Sequence, residues 1–188
     1  MIPVLFETFD YIKEIITMMK KVLSFALAMS MLVLSGCASK PASAAEKTPE
    51  ELTTLYSESI TAHGGEMVEY NPVISEAKEE DGSAFLLETM GLKTEDMTAF
   101  GISASMMNVQ AYGIAAVKPA EGKEEAVKEA LQGYIDTQKM NFEFYLVDQY
   151  EVANSARLET LEDGTVLMVM CQDQDTVFDN ISKAILEQ

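Results

Sequence analysis

Cysteine and histidine, which supply the thiol and imidazole groups of many active sites, are rare in this 188-residue chain. The chain contains two cysteines, Cys37 and Cys171, and a single histidine, His63. Nucleophilic catalysis needs a serine or cysteine beside a positioned base, and His63 lies in no elbow or triad pattern. His63 instead falls at the carboxyl end of a predicted helix, where the helix dipole favours a cation. We therefore expect no catalytic residue of this kind, and we predict that Cys171, inside an apolar run, is an unreactive core thiol.

Paired carboxylates are the remaining route to catalysis. Acidic residues stand close together at Glu79-Glu80-Asp81 and at Asp173-Gln174-Asp175. A glycan hydrolase that uses acids alone needs two carboxylates about 5 to 10 Å apart in a cleft. A calcium loop needs a glycine and a glutamate at set distances, which neither cluster has. We favour solvated loops or helix caps for both clusters and keep a carboxylate-dependent hydrolase as an alternative.

Metal and cofactor sites also require recognisable patterns. Zinc needs clustered cysteines and histidines, and a phosphate cradle needs a glycine-rich loop before a helix; the sequence has neither. The chain has 13 methionines, whose thioethers are ligands for copper(I). Five of them precede Cys37, and the neighbours Met106 and Met107 fall in a predicted strand, which would direct them to opposite faces. The expectation is no metal and no cofactor.

Cys37 stands in a distinctive context. Two lysines are followed by an uninterrupted apolar run from Val22 to Leu34. A basic pair, an apolar run too short for a comfortable membrane span, and small residues are the parts of an export signal. The sequence Leu34-Ser35-Gly36-Cys37 resembles the bacterial lipobox at all four positions. The resemblance implies cleavage between Gly36 and Cys37 and a diacylglyceryl group, with its palmitate-type chains, on the Cys37 sulfur.

The neighbouring segments complete this organisation. Residues 1–17 place acidic and apolar residues where a signal has a short basic region, so we expect an artefact of start-codon choice, with translation starting at Met18 or Met19. Residues 38–47 are small and polar with one proline, as in a flexible spacer. The predicted domains are therefore a signal peptide over 1–36, a lipid-anchored spacer over 37–47 and a globular domain over 48–188. Acylation of Cys37 leaves no cysteine pair for an intramolecular disulfide.

The charge of the chain limits its partners. There are 13 basic and 31 acidic residues, which gives a net charge of −18. Such a surface repels nucleic acid and anionic headgroups. We therefore expect no nucleic-acid partner, and we expect membrane contact through the lipid on Cys37, since two acyl chains give stable anchoring.

Hydrophobic periodicity predicts the elements of the outer domain. A capping box at Thr48 and Glu51 begins a first helix, which Gly64-Gly65 ends. Residues 66–103 give a turn at Asp81-Gly82 and a possible helical turn over 94–100. Alternation from Met106 to Lys118 predicts one long strand, and residues 121–140 predict a helix.

The last third of the chain has the clearest pattern. Apolar runs over 156–161 and 165–171 flank an Asp-Gly pair, which is typical of a β-hairpin. The second run is apolar at every position, so we expect it to be central in a sheet. Asp173 or Asp175 would cap a final helix. The predicted fold class is α+β, with a small mixed β-sheet of about three or four strands covered by helices.

The carboxyl-terminal part also resembles a known family. The stretch from Asn108 to Pro119, the helix ending in Gln138, the aromatic cluster over 142–145 and the run from Asp163 to Leu167 are similar to the bacterial lipoprotein domain of unknown function 4358. The resemblance covers about residues 104–188 and leaves out 65–103. It implies a lipoprotein of this size, in a family found mainly in Gram-positive anaerobes, and no catalytic residues.

These observations together predict a membrane-anchored envelope lipoprotein. We expect a non-catalytic binding or interaction module at the extracytoplasmic face of the cell membrane, with an envelope protein or a small ligand as its partner. One alternative is the carboxylate-dependent envelope hydrolase. Another is the recognition subunit of a transport system, although two domains around a cleft usually need more than about 140 folded residues.

Overall fold

A computed structural model describes residues 47–188 of the chain. The predicted signal peptide and the spacer before Lys47, including the lipobox residues Leu34, Ser35, Gly36 and Cys37, lie outside the described residues. Residues 47–188 form a compact unit that contains both hydrophobic cores described below. Within this unit, no helix is both long enough and apolar enough to cross a membrane.

The first helix, α1 (Pro49–His63), begins at the predicted capping box. The Thr48 hydroxyl accepts a hydrogen bond from the Glu51 backbone N–H at 3.2 Å, and the Glu51 carboxylate accepts one from the Thr48 N–H at 2.7 Å. This exchange satisfies two backbone donors that a helix start otherwise leaves without partners. Helix α1 then buries Leu55, Tyr56 and Ile60 against the sheet.

The remaining elements follow in the order helix, two strands, two helices, two strands, helix. Helices are α2 (Ser83–Thr89), α3 (Glu124–Phe142), α4 (Val147–Asn154) and α5 (Gln174–Leu186), and strands are β1 (Met97–Ala104), β2 (Gly113–Pro119), β3 (Arg157–Thr160) and β4 (Val166–Met170). Short 3-10 turns lie at Glu66–Glu69 and Thr94–Asp96.

The four strands form one sheet in the order β1-β2-β4-β3. The predicted α+β class and the central position of β4 are confirmed. All three strand pairings are antiparallel, so the sheet is antiparallel throughout and not mixed in strand direction. The arrangement follows from two hairpins, β1–β2 and β3–β4, whose inner strands β2 and β4 pair with each other.

Helices cover both faces of this sheet. Ala115 and Val117 of β2 face the core formed with α2, α3 and α4, whereas Ile114 and Ala116 face the core formed with α1 and α5. Every residue of β4 is buried. A continuous apolar run is what a strand with two covered faces requires, which explains the composition of β4.

Two predicted elements are wrong. The long strand over 106–118 is instead a loop followed by β2, because the apolar side chains of Met106, Met107 and Val109 continue an alternating pattern through a turn that has no glycine or proline. The helical turn over 94–100 stops at Asp96, and from Met97 onward the chain is β1, whose pairing with β2 overrides the local preference.

The start of α5 also differs from the sequence prediction. Asp173 occupies the residue before the helix, but its side chain makes no capping hydrogen bond. Asp175 lies in the first turn and pairs with Arg157 of β3 at 3.4 Å. Asp175 therefore contributes to a surface ion cluster around Arg157, together with Glu159 and Asp179, and the predicted cap is absent at this helix.

The close approach of α1 to β1 leads to a stability prediction. A Cβ atom on Gly101 would lie 2.9 Å from the Tyr56 Cβ and 3.2 Å from the Ser57 backbone nitrogen. We expect Gly101→Ala to lower the free energy of unfolding by about 1–3 kcal/mol through overpacking. Gly133→Ala is the matched control, because Gly133 lies in α3 with open space around it, and alanine there should stabilise by about 0.5–1 kcal/mol. Urea unfolding of residues 47–188 measures both, and equal stability of Gly101→Ala and the parent would contradict this packing.

Candidate functional site

The strand register defines two ends of the domain. Gly113 pairs with both Ala104 and Met170, so the loop between β1 and β2 (residues 105–112) lies where β4 finishes. We call this the loop end. The β3–β4 turn, residues 161–165, lies at the opposite end of the sheet. We call this the entry end. Helix α1 starts near that turn and finishes at the loop end, where Gly64 contacts Ile114.

The described chain enters and leaves at the entry end. The Lys47 ammonium donates a hydrogen bond to the backbone oxygen of Gln188 at 2.5 Å, so the first and last described residues are neighbours. The hydroxyl of Tyr56, on the second turn of α1, bonds to Thr165 of the β3–β4 turn at 2.6 Å. Any segment that precedes Lys47 therefore joins the domain at the end opposite to the β1–β2 loop.

Large apolar side chains are exposed mainly at the loop end. In the β1–β2 loop, Met106, Met107 and Val109 are each more than half exposed, and beside it Phe144 is 87% exposed. Most of the large exposed apolar side chains of residues 47–188 belong to this group, which comprises Tyr70, Met106, Met107, Val109, Met140, Phe144, Tyr145 and Val147. We call these eight side chains the apolar rim. A concentration of exposed apolar surface at one place is typical of an interaction site.

A cleft of about 550 Å³ opens beside the β1–β2 loop. Residues 67–74 form one wall, residues 81–86 form a second, and the end of β1 with the loop forms the third. The lining side chains are mainly apolar, with a few amides and one carboxylate: Met67, Tyr70, Asn71, Pro72, Ile74, Asp81, Ser83, Leu86, Ala104, Met106, Met107 and Gln110.

Hydrogen bonds fix the first wall to the sheet edge. Ile74 and Ile102 exchange two backbone hydrogen bonds, at 2.7 and 2.9 Å, which pair this segment with β1. The Ser103 hydroxyl donates to the Asn71 backbone oxygen at 2.5 Å and lies 3.0 Å from the hydroxyl of Tyr112. Burial raises the pKa of Tyr112 to about 12, so this hydroxyl stays protonated and able to donate.

The β1–β2 loop is held from both sides. On the cleft side, the Gln110 amide donates to the sulfur of Met67 at 3.1 Å. On the other side, the Tyr145 hydroxyl donates to the Asn108 backbone oxygen, and the Ala111 N–H donates to the Gln149 side-chain oxygen at 2.9 Å. The loop thus has defined partners in the first wall and in the α3–α4 region, although it contains no regular structure.

Charge is unevenly distributed around the cleft. The segment 66–82 carries six exposed acidic residues and one lysine, Lys78, which pairs with Glu76 at 2.7 Å. Hydrogen bonds from Ser83, including one from its backbone N–H at 3.0 Å, hold the pKa of Asp81 below its usual value. The β1–β2 loop has no charged residue. Four basic and four acidic residues precede Lys47, so the whole net charge of −18 belongs to residues 47–188.

The structure does not bring the candidates for catalysis or metal binding, which are the two acidic clusters, His63 and Cys171, together at one site. Of the two acidic clusters, only Asp81 lines the cleft, whereas Asp175 pairs with Arg157. His63 is exposed at the end of α1. Cys171 is buried, and burial raises the pKa of its thiol to about 11. Within residues 47–188, no three or more His, Cys, Asp and Glu side chains are grouped to hold a metal ion.

The methionine pair was placed wrongly by the sequence. Met106 and Met107 do not lie on opposite faces of a strand; both belong to the loop and both line the cleft together with Met67. Sequence reasoning also missed Tyr70 and Gln110. Asn108 and Gln110 alternate with the apolar residues Met107 and Val109, as they would in a half-buried strand, so no local signal distinguishes a loop from a strand here.

These features define the protein as an α+β domain of three layers with an apolar cleft at the loop end. A family comparison gives the more specific assignment: the domain of unknown function DUF4358 matches residues 73–171, just over half of the chain. The chain belongs to this family. No curated protein and no solved structure matches the chain.

The bounds of the family match differ from those of the resemblance over 104–188. The match begins at Val73, so it includes α2 and β1, which the resemblance left out, and it ends at Cys171, before α5. The paired edge of β1 and the second wall of the cleft are therefore part of the family domain.

The buried Cys171 thiol and Tyr112 hydroxyl give a prediction for the stability of the fold at alkaline pH. The pKa of Cys171 is raised to about 11 from 9.0, and that of Tyr112 to about 12 from 10.0, because burial disfavours their anions. Above pH 9 the unfolded chain loses these protons first, so the folded state binds more protons and the free energy of unfolding falls as pH rises. Below pH 9 this contribution is fully present and constant.

Urea unfolding of residues 47–188 between pH 8 and 11 measures this effect. We expect a decline that begins near pH 9, and Cys171→Ala should remove the Cys171 share of it between pH 9 and 11. A stability that rises over this range would contradict the buried, protonated state of these groups.

Proposed function

We propose that the protein is a lipid-anchored, non-catalytic interaction module of the cell envelope, with the loop end as its binding surface. The observation that carries this proposal is the position of the apolar rim at the end opposite to Lys47, where its residues Tyr70, Met106 and Met107 line the cleft. An apolar surface of this kind is unfavourable in water unless a partner covers it for part of the time.

The predicted anchor suits this geometry. A lipid on Cys37 would hold the domain through ten residues before Lys47, a spacer that reaches at most about 35 Å when extended. The spacer joins the domain at the entry end, so the loop end would face away from the membrane. The acidic surface of the domain also disfavours contact with anionic headgroups, which leaves the lipid as the membrane attachment.

A protein partner explains the surface better than a small ligand does. The cleft, at about 550 Å³, lies within the size range of small-molecule pockets. A ligand confined to it would nevertheless leave Val109, Phe144 and Tyr145 exposed, because these residues belong to the apolar rim outside the cleft. We therefore propose an envelope protein whose contact extends from the cleft across the β1–β2 loop to the α3–α4 junction.

The anchor is tested by Cys37→Ala. We expect the parent chain to fractionate with membranes and to accumulate as a larger, lipid-modified precursor under globomycin, whereas Cys37→Ala should do neither. Cys171→Ala is the control, since this buried thiol takes no part in anchoring. Membrane fractionation of Cys37→Ala that equals that of the parent would remove the lipid anchor from the account.

The binding surface is tested by polar substitutions at the loop end. We expect the double variant Met107→Ser and Val109→Ser to lose the proteins that crosslink to the parent chain in intact membranes, because it removes two exposed apolar side chains without touching the core. Leu186→Ser is the matched control, since Leu186 is 43% exposed on the last turn of α5, away from the loop. Crosslinked partners that survive the double variant but disappear in Leu186→Ser would place the binding surface elsewhere.

A further inference from the structure

We infer that the cleft binds the apolar face of a cationic amphipathic helix supplied by the partner. This inference rests on the proposed function and specifies the segment that the loop end recognises. Three features of the cleft lead to it: its methionine lining, its one-sided charge and the pairing of its backbone groups.

The lining suits apolar side chains of varied shape. Met67, Met106 and Met107 come from two different segments and all face the cleft. Methionine is unbranched and polarisable, so a surface built from it adapts to branched or aromatic side chains without leaving gaps. The Gln110 amide, which donates to the Met67 sulfur, orients one of the three thioethers.

The charge of the cleft walls favours a partner segment of positive charge. The segment 66–82, which supplies residues to two walls of the cleft, contains six exposed acidic residues and one lysine, and Asp81 is the one of these acids that lines the cleft; the β1–β2 loop, which belongs to the third wall, has no charged residue. Asp81 lines the cleft itself and, as an exposed carboxylate, is ionised at neutral pH. A segment with Lys or Arg on one flank of an apolar face complements both the acidic segment 66–82 and the apolar β1–β2 loop. An anionic segment would meet like charge.

Several backbone groups near the cleft are already paired, which favours a helix over an added strand. The N–H and C=O groups of Ile102 are both bonded to Ile74, so the outer edge of β1 is occupied at the cleft. The Ser105 N–H is bonded to the Tyr112 oxygen, and the Asn108 oxygen accepts from Tyr145. Strand addition needs free backbone groups, whereas a helix presents side chains at i, i+3, i+4 and i+7 to an apolar groove.

Synthetic peptides test this inference with residues 47–188, which contain both cores. The probe is a 14-residue peptide of leucine and lysine with its leucines at i, i+3, i+4 and i+7, and the comparison peptide has glutamate in place of lysine. By calorimetry at about 0.1 M salt, we expect the lysine peptide to bind one to one and at least about tenfold more tightly than the glutamate peptide. Its affinity should fall as salt is raised.

Matched variants locate the site. Glu66→Gln, Glu69→Gln and Asp81→Asn together should weaken the lysine peptide by about tenfold, while Glu50→Gln, Glu58→Gln and Glu187→Gln, which remove the same charge near the entry end, should change it by less than about twofold. Met106→Ser with Met107→Ser should weaken both peptides. Circular dichroism of each variant shows whether it has kept its fold.

Several outcomes would overturn the inference. They are equal binding of the two peptides, equal losses in the two charge variants, no binding of either peptide, or self-association of residues 47–188 that Met106→Ser and Met107→Ser abolish. Equal binding of both peptides, with partner crosslinking still lost in Met107→Ser and Val109→Ser, would refute the cationic helix and leave the proposed function standing.

Discussion

The two inner strands β2 and β4 are buried on both faces, and the rest of the structure depends on this burial. Helices α1 and α5 cover one face of the sheet, and α2, α3 and α4 cover the other, so neither face can receive a partner. Contacts with other molecules must therefore involve the outer helix surfaces, the edge strands β1 and β3, or the ends of the sheet. Of the two ends, the loop end carries the apolar rim and the cleft, and the entry end receives the chain at Lys47.

The same burial explains how an irregular loop is held in a defined place. The strands fix residues 104 and 113 as neighbours, and the loop between them then meets side chains from two other segments. Gln110 reaches Met67 on one side, while Tyr145 and Gln149 reach the loop backbone on the other. These hydrogen bonds satisfy polar groups of the loop and leave its apolar side chains toward solvent. The proposed binding surface is thus a consequence of how the core strands are connected.

Local signals were sufficient for some elements and insufficient for others. The capping box at Thr48, the helix predicted over 121–140 and the Asp-Gly turn between β3 and β4 each depend on residues close in sequence, and the structure confirms them. Strand β1 was missed because its evidence is tertiary: it packs through Gly101 on α1 and pairs with β2. The segment 66–82 is held mainly by bonds to Ile102 and Ser103, which are distant in the chain.

The candidate site was the least predictable part for the same reason. Its walls come from three segments that only the fold brings together, and the alternating pattern of residues 106–118 gave no sign that the chain turns after Ser105. The net charge of the chain follows from its composition, but the position of the acidic segment 66–82 beside an apolar cleft could not be predicted from the sequence. The lipobox at Cys37, by contrast, is a local pattern, and it stays a prediction about residues that precede the described domain.

Photo-crosslinking from single positions in intact membranes tests the central claim most directly. A photoreactive residue at position 107, at the loop end, is compared with one at position 54, an exposed site on α1 near the entry end. A binding surface at the loop end predicts a defined protein adduct from position 107 and none from position 54. Adducts from position 54 alone, or the same adduct from both, would contradict a binding surface at the loop end.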